Sequence, residues 1–434
     1  MFRPLARPRL RRRPGFLALS IVLILVPLAA GCSNLDPGYP YKIESKYGVA
    51  DPQFSRTMGH LLGPPLVHGN DIRSFRNGDR IFPAMLADIA AAQRSVTFET
   101  FIYWKGEVGK KFTDALCDRA RAGVKVHLLI DAVGSDKMDE DYLKRMRACG
   151  CKIEIYNPLR WFDLTSAARL NNRTHRKLLV VDGKVGYTGG VGIADEWLGD
   201  AQDPGHWRDT QYRLTGPAVA DLQSAFMDHW MESSGYVLHG DDYFPQLDRA
   251  GDKYAQVFKS GPGGGGESMQ LMYLLSFAAA RKSLRLSTAY FVPDDLTIRT
   301  LVEARKRGVR VQVIVPNHLT DVPLTRHASR AVWGDLLEAG VEIYEYQPTM
   351  YHNKLMVVDD LWVSVGSTNL DNRGFRLNGE ANVNVLDPAF GAEAAAQFDA
   401  DLTRASRITY EQWADRPFGE RFAEVFASLL KWQL

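Results

Sequence analysis

Cysteine is scarce, four in 434 residues, and neither sign of charge dominates, with 53 lysines and arginines against 51 acidic side chains. The near balance hides an asymmetry. Arg3, Arg7, Arg9, Arg11, Arg12 and Arg13 precede an apolar stretch from Phe16 to Ala30, too short to span a bilayer comfortably and shaped like a signal sequence. Removal of residues 1–31 takes six arginines and no acid, turning 53 against 51 into 47 against 51, a net of −4. A nucleic-acid enzyme would normally carry a basic surface for the phosphate backbone, so a mildly acidic body argues against that class. A nucleotide-binding phosphate loop is missing too. The glycine run Gly261-Pro-Gly-Gly-Gly-Gly266 is followed by Glu267 where a lysine is required, and it reads as a join before a helix from Met269 to Ala280.

What is present is a phrase written twice. His175-Arg-Lys177 leads into Leu178, Leu179, Val180, Val181 and Asp182; His352-Asn-Lys354 leads into Leu355, Met356, Val357, Val358 and Asp359. Ten histidines and these charge frequencies give about 0.14 chance occurrences of such a spacing, so two are not accidental. A two-residue step at the head of an apolar strand places His and Lys on one face, and an imidazole beside an ammonium suits a phosphate. Asp182 and Asp359 are an odd number of positions away, face the opposite side, and read as structural members of the motif.

The repetition extends beyond the motif, with a constant offset of 177 residues from His175 and His352 through Gly189 and Gly366. Arg121-Ala-Gly-Val-Lys-Val-His-Leu-Leu-Ile130 parallels Lys306-Arg-Gly-Val-Arg-Val-Gln-Val-Ile-Val315, each a helix end, a glycine stop and an apolar strand. A repeat this long implies two similar domains facing each other across a pseudo-twofold axis, not a solenoid. A first helix is expected over about Ile81–Gln93 and a strand near Val96–Tyr103, and Asp182-Gly183 marks a hairpin turn. One asymmetry between the halves is informative: 17 positions separate Pro158 from His175, but four separate Pro348 from His352. The extra segment contains Leu159-Arg-Trp-Phe-Asp-Leu164, which suits either a lip of the substrate cleft dipping into acyl chains or a loop over a satellite core. Phe422, Val425, Phe426, Leu429 and Leu430 have helical spacing and are expected to pack back onto the domain.

These residues resemble the phospholipase D superfamily, and within it the bacterial cardiolipin synthase-like branch. The family motif H-x-K-x4-D-x6-G-[GS]-x-N is complete in the second copy, ending Gly366-Ser367-Thr368-Asn369; the first ends Gly189-Gly190-Val191-Gly192, with Gly192 in place of asparagine. Further family-like phrases are Asn172-Arg-Thr-His-Arg-Lys177, Ser287-Thr-Ala-Tyr-Phe-Val-Pro-Asp-Asp295 and Asn369-Leu-Asp-Asn-Arg-Gly-Phe-Arg-Leu-Asn-Gly-Glu380. The resemblance covers roughly residues 71–434 and implies an α/β fold of two phospholipase D-type α/β/α sandwich halves, residues 71–245 and 246–434. It counts His175, Lys177, Asp182, His352, Lys354 and Asp359 as the catalytic motif set, with His175 as nucleophile and His352 as general acid and then base. Asp209 and Glu380 lie where the family places carboxylates that orient the histidines. Ser367 and Asn369 face the same side and suit phosphate binding or the closing of a turn. Arg173 suits either the cleft mouth or a surface ion pair. Two lysines can offset charge developing on a phosphodiester, so no metal or cofactor is implied.

The N-terminus also resembles a bacterial lipoprotein signal, ending Leu28-Ala-Ala-Gly-Cys32, with Cys32 as the lipidated residue. That reading makes residues 1–31 a signal peptide and 32–70, with Pro37, Pro40, Pro64 and Pro65, a tether. It predicts an exported, membrane-attached protein on the periplasmic side. Three thiols remain, Cys117, Cys149 and Cys151, compatible with one disulfide from Cys117 to one of the others, although Cys117 also suits a small core position. The expected activity is phosphatidyl transfer between phospholipid alcohols through a phosphohistidine, on a phospholipid substrate in the membrane and without nucleic acid. Hydrolytic phospholipase D is the nearest rival, then a nuclease, then a lipid-binding pseudoenzyme suggested by Gly192.

Overall fold

Strand by strand, the two halves of the chain repeat one order. A computed structural model describes residues 41–158, 171–261 and 266–434, of which Lys42–Leu434 form one unit. The first half contributes Val67–Arg76 (β1), Ser95–Thr100 (β2), Lys125–Asp131 (β3), Lys152–Tyr156 (β4), Leu178–Val181 (β5), Val185–Gly189 (β6) and Thr210–Thr215 (β7). The second contributes Lys253–Ser260 (β8), Ser283–Ser287 (β9), Phe291–Val292 (β10), Arg310–Pro316 (β11), Glu342–Tyr346 (β12), Leu355–Val358 (β13), Trp362–Gly366 (β14), Leu370–Asp371 (β15), Glu380–Leu386 (β16) and Ala405–Ile408 (β17).

Fifteen of these strands form one continuous sheet, which reads β1-β7-β6-β5-β2-β3-β4 in one direction from its centre and β8-β16-β14-β13-β9-β11-β12-β17 in the other. The halves meet where β1 and β8 pair antiparallel, Val67 opposite Ala255 and His68 opposite Tyr254. Sheet order therefore carries the pseudo-twofold relation that the repeated sequence implies. Helices cover both faces. Val219–Ser234 and Pro388–Leu402 lie over one face in a core shared by both halves, and the opposite face carries Gly78–Ala91 and Glu107–Arg121 in one half and Gly266–Ala279 and Asp295–Lys306 in the other. A sheet covered on both sides needs apolar residues at every position of its inner strands, which is why Leu178–Val181 and Leu355–Val358 are buried throughout and do not alternate.

The hairpin turns after the two motifs are twins. Asp182 and Gly183 take φ of 53° and 64°, and Asp359 and Asp360 take 54° and 55°, the left-handed pairs that a tight hairpin requires. Each aspartate then spends its carboxylate on a row of backbone amides. Asp182 accepts from Gln93, Arg94 and Ser95 at 2.9, 2.7 and 2.9 Å, and Asp359 from Arg281, Lys282 and Ser283 at 2.9, 2.7 and 2.9 Å. Both members of the motif thus lash a turn to the start of the neighbouring strand, β2 or β9.

Two expectations need correction, and one open alternative is decided. The tether does not extend to residue 70. Pro52 opens a short helix, Pro52–Thr57, capped by Asp51, and Val49, Phe54 and Met58 are buried in the core of the second half. Pro64 ends that segment with its carbonyl accepting from Gln256, and β1 begins at Val67, so Pro52 and Pro64 bound a folded segment and do not loosen a linker, while Pro37 and Pro40 lie outside the described residues. The C-terminal helix, Phe418–Ser428, does not bury its apolar stripe: Ala427 and Glu424 face inward, and Phe422, Val425, Phe426 and Leu429 are exposed. The cause is a buried ion cluster in which Glu424 meets Arg330 at 3.3 Å and Arg416 at 2.6 Å, so the charged edge of the helix is the docked one. Cys117 is not merely a core filler. It is disulfide-bonded to Cys149, tying helix Glu107–Arg121 to the end of Glu140–Ala148, while Cys151 is a buried free thiol whose burial pushes its pKa up to about 11. The signal segment, Cys32, Leu159–Leu164 and most of the glycine run lie outside the described residues. Among the described residues no helix is long and apolar enough to cross a membrane.

Candidate active site

The site is built across the seam between the halves. His175 and Lys177 stand just before β5, His352 and Lys354 just before β13, and all four side chains are buried. Each histidine is held by an acid from the opposite half. His175 Nδ1 lies 2.8 Å from Oε1 of Glu380, at the head of β16, and His352 Nδ1 lies 2.7 Å from Oδ2 of Asp209, just before β7. The main chains cross in the same way: the amide of His175 donates to Gly379 and that of Gly379 to Arg173, both at 2.9 Å, while His352 donates to Arg208 at 2.8 Å and Arg208 to Met350 at 3.0 Å. Thus neither half holds a complete histidine–acid pair alone. With Nδ1 engaged, each ring keeps Nε2 for chemistry, and among the described residues no side chain bonds to either Nε2.

The lysines complete a cationic floor. Lys177 Nζ donates to the carbonyl of His175 at 2.7 Å and Lys354 Nζ to that of His352 at 2.6 Å, so each ammonium is folded back beside its own histidine as the two-residue step implies. Burial disfavours their charge, lowering Lys177 to about 7 against the pull of Glu380, and Lys354 to about 8 against that of Asp209.

The half-sites differ electrostatically. Burial lowers His175 well below the ordinary histidine value, helped by Lys177 and Lys354, while burial raises Glu380 to about 7 even though Lys177 and Ser367 favour its ionised form. Burial would also raise Asp209, but the charge and hydrogen bond of His352, with Lys354 and the Trp197 indole, outweigh it and hold Asp209 below the usual carboxylate range. Burial and the neighbouring lysines thus favour a neutral ring at both histidines, but at His352, also lowered by burial and Lys354, the Asp209 carboxylate pulls back toward the protonated form.

Ser367, offered by sequence for the phosphate, instead directs its hydroxyl to the Glu380 carboxylate and accepts from the Ala381 amide at 3.1 Å. Asn369 is buried with its side-chain oxygen unpartnered among the described residues. In the first half no amide could occupy the matching position. A Cβ on Gly192 would lie 2.8 Å from the Cβ of Ile102 and 3.1 Å from the ring of Trp197. That volume is taken by Ile102 and by Trp197, whose indole donates to Asp209 Oδ2 at 3.0 Å and whose ring meets His352 edge-on at 5.3 Å. Arg173 lies neither at the cleft mouth nor on the surface; it is buried and paired with buried Asp131 at 3.0 Å.

Sequence reasoning missed the layer beneath. Glu99 accepts from Thr174, next to His175, and from His229, both at 2.5 Å, and a side chain at Gly379 would collide with the His229 ring. Arg208 is pinned by Asp401 at 2.7 Å, which also accepts from Tyr351, next to His352. The available signal was an acid inside an otherwise buried strand, Glu99 in Ser95–Thr100.

Comparison with known proteins agrees with this geometry. The family model described as cardiolipin synthase, PLD-like domain, matches residues 85–201 and 274–402, one segment in each half and more than half of the chain. The chain belongs to the phospholipase D superfamily, in its cardiolipin synthase-like branch. It is 35% identical to a cardiolipin synthase of Geobacillus kaustophilus, over 82% of this chain and 70% of that one, and 35% identical to the major cardiolipin synthase of Bacillus subtilis, over 83% and 75%. Among solved structures, the phosphatidylserine synthase of Haemophilus influenzae superposes with a TM-score of 0.69 at 14% identity, covering 88% of this chain and 99% of that one. At that identity the likeness concerns the fold, which is the phospholipase D type.

Proposed function

We propose that the protein is a phosphatidyltransferase of the cardiolipin synthase kind, joining a phosphatidyl group from one phospholipid to the alcohol of another such as phosphatidylglycerol. The observation that carries the reading is the crossed pair of histidine–acid couples over two buried lysines, on a chain 35% identical to cardiolipin synthases. Nε2 of His175 attacks the phosphodiester phosphorus; the bond to the departing glycerol breaks as His352 donates a proton to its oxygen, leaving a phosphatidyl group on His175. A lipid hydroxyl, deprotonated by the now neutral His352, then attacks that phosphorus and releases His175. Lys177 and Lys354 neutralise the anionic diester on entry, which returns them to their charged form. The contrast between Glu380 and Asp209 supports this order, because the ionised acid lies beneath the ring that must carry a proton to the departing oxygen. Radiolabelled glycerol added to cardiolipin vesicles should appear in phosphatidylglycerol, since the step is reversible through the same intermediate. Release of phosphatidic acid alone would assign a hydrolase.

The same reading makes the protein exported and membrane-attached through a lipid on Cys32, supported by the arginine cluster, the apolar stretch and the Ala-Gly-Cys ending. A Cys32→Ala variant should lose acyl labelling and remain unprocessed at Gly31; unchanged processing would point to an ordinary secretory signal. A lipid and not a nucleic-acid substrate is supported by the net charge of −4 after residue 31.

A further inference from the structure

The C-terminal helix presents to solvent what a helix in water normally hides. Phe418, Phe422, Val425, Phe426 and Leu429 follow helical spacing along one side and are 82%, 68%, 63%, 60% and 72% exposed. The opposite side is fixed, not loose. Ala427 packs with Val292 and Ala328, and buried Glu424 is gripped by Arg330 and Arg416, so the helix cannot turn its phenylalanines inward without unburying an ion cluster.

The segment that continues this face runs to the wall of the active site. The carbonyls of Trp432, Gln433 and Leu434 accept from Asn372 and Arg373 at 2.7, 3.1 and 3.0 Å, and the Gln433 side chain meets Asn171, four residues before His175. Arg373 is four residues past Asn369 and close enough for its charge to act on His175. At the end of the strip Trp432 is half exposed with the Lys431 ammonium 5.5 Å from its ring, an aromatic and a cation of the kind that settle at headgroup depth.

We propose that this face docks on a lipid bilayer, with the five apolar side chains among the outer acyl carbons and Trp432 and Lys431 at the headgroups, so that the rim of the catalytic cleft next to it meets the membrane surface. The occupant follows from continuity, because a phospholipid substrate must reach a site whose wall is tied to the end of this strip. The proposal rests on the lipid substrate assigned above. It adds the surface that presents the site to that lipid.

Amide hydrogen exchange of the full chain, with and without phosphatidylglycerol vesicles, tests it. Exchange over 418–432 should slow on vesicles, and because it is read peptide by peptide, attachment elsewhere on the chain does not imitate it. A Phe422→Ser, Phe426→Ser double variant, altered only at exposed positions, should lose that protection. It should turn over vesicle substrate about tenfold more slowly while keeping full activity on short-chain phosphatidylglycerol dispersed below its micelle threshold. Unchanged exchange on vesicles, or equal loss on both substrates, overturns the proposal. Protection that grows with protein concentration in the absence of lipid overturns it too, assigning the face to a second copy. The exchange measurement needs no turnover, so failure of the unsubstituted chain to act on any phosphatidylglycerol counts against the lipid reading and not against the docking face.

Discussion

His352 Nδ1 and Asp209 Oδ2 lie 2.7 Å apart although 143 residues separate them, and the same oxygen accepts from the Trp197 indole at 3.0 Å. The second half's histidine is thus oriented by two residues of the first. An Asp209→Asn variant should lose about 10² to 10⁴ in kcat, the usual contribution of a positioned acid–base group, with the fold preserved. Trp197→Phe keeps an aromatic ring beside His352 but removes the indole N–H and the Cη2 edge that lies beside Gly192. Loss of the indole N–H and of the Cη2 edge together should cost roughly tenfold in kcat with little change in KM, about 1.4 kcal/mol. A phenylalanine variant as active as the parent would show that the indole merely packs.

Both histidines serve one turnover. His175→Ala and His352→Ala should each abolish transfer, and the double variant should be no worse than either single one, because the residues act as a unit. Thermal melts should remain close to the parent. Substantial activity in either single variant contradicts a two-histidine mechanism.

The lysines set the alkaline limit. With Lys177 lowered to about 7 and Lys354 to about 8 by burial, kcat/KM should decline as pH rises across that interval, since the charge that receives the diester is progressively lost. A bound anionic diester raises both values, so kcat should persist to higher pH than kcat/KM. A kcat/KM profile flat through this range would mean that the lysines stay charged in the free protein.

Cys117 and Cys149 close a loop of 32 residues on the outer helices of the first half, away from the catalytic seam. Cys149→Ser should lower stability by about 3 kcal/mol and leave kcat unchanged. Denaturant unfolding followed together with turnover separates the two effects, and a parallel loss of kcat would tie the disulfide to the site.

The repeated His-x-Lys phrase was legible because strand periodicity alone pairs the two side chains, and Asp182 and Asp359 were legible as structural because the same period turns them away. Asp209 and Glu380 could be named from the family pattern, but their exchange between halves depends on β1 meeting β8, which no local pattern encodes. Trp197 was hidden because its role follows from what Gly192 leaves empty. The C-terminal helix was misread for a different reason: helical spacing shows that a helix has two faces, but which one docks was decided by Arg330 and Arg416 capturing Glu424. Proline content likewise suggested a tether through residue 70, where Pro52 and Pro64 instead bound a helix packed in the core.

The central claim is that an alcohol, not water, resolves a phosphohistidine formed across the seam. The most direct test is product stoichiometry from phosphatidylglycerol vesicles incubated with the full-length protein. Cardiolipin and free glycerol should appear in equal amounts, and neither should form with His175→Ala or His352→Ala. Phosphatidic acid as the sole phospholipid product, with phosphatidylglycerol abundant, would contradict the account.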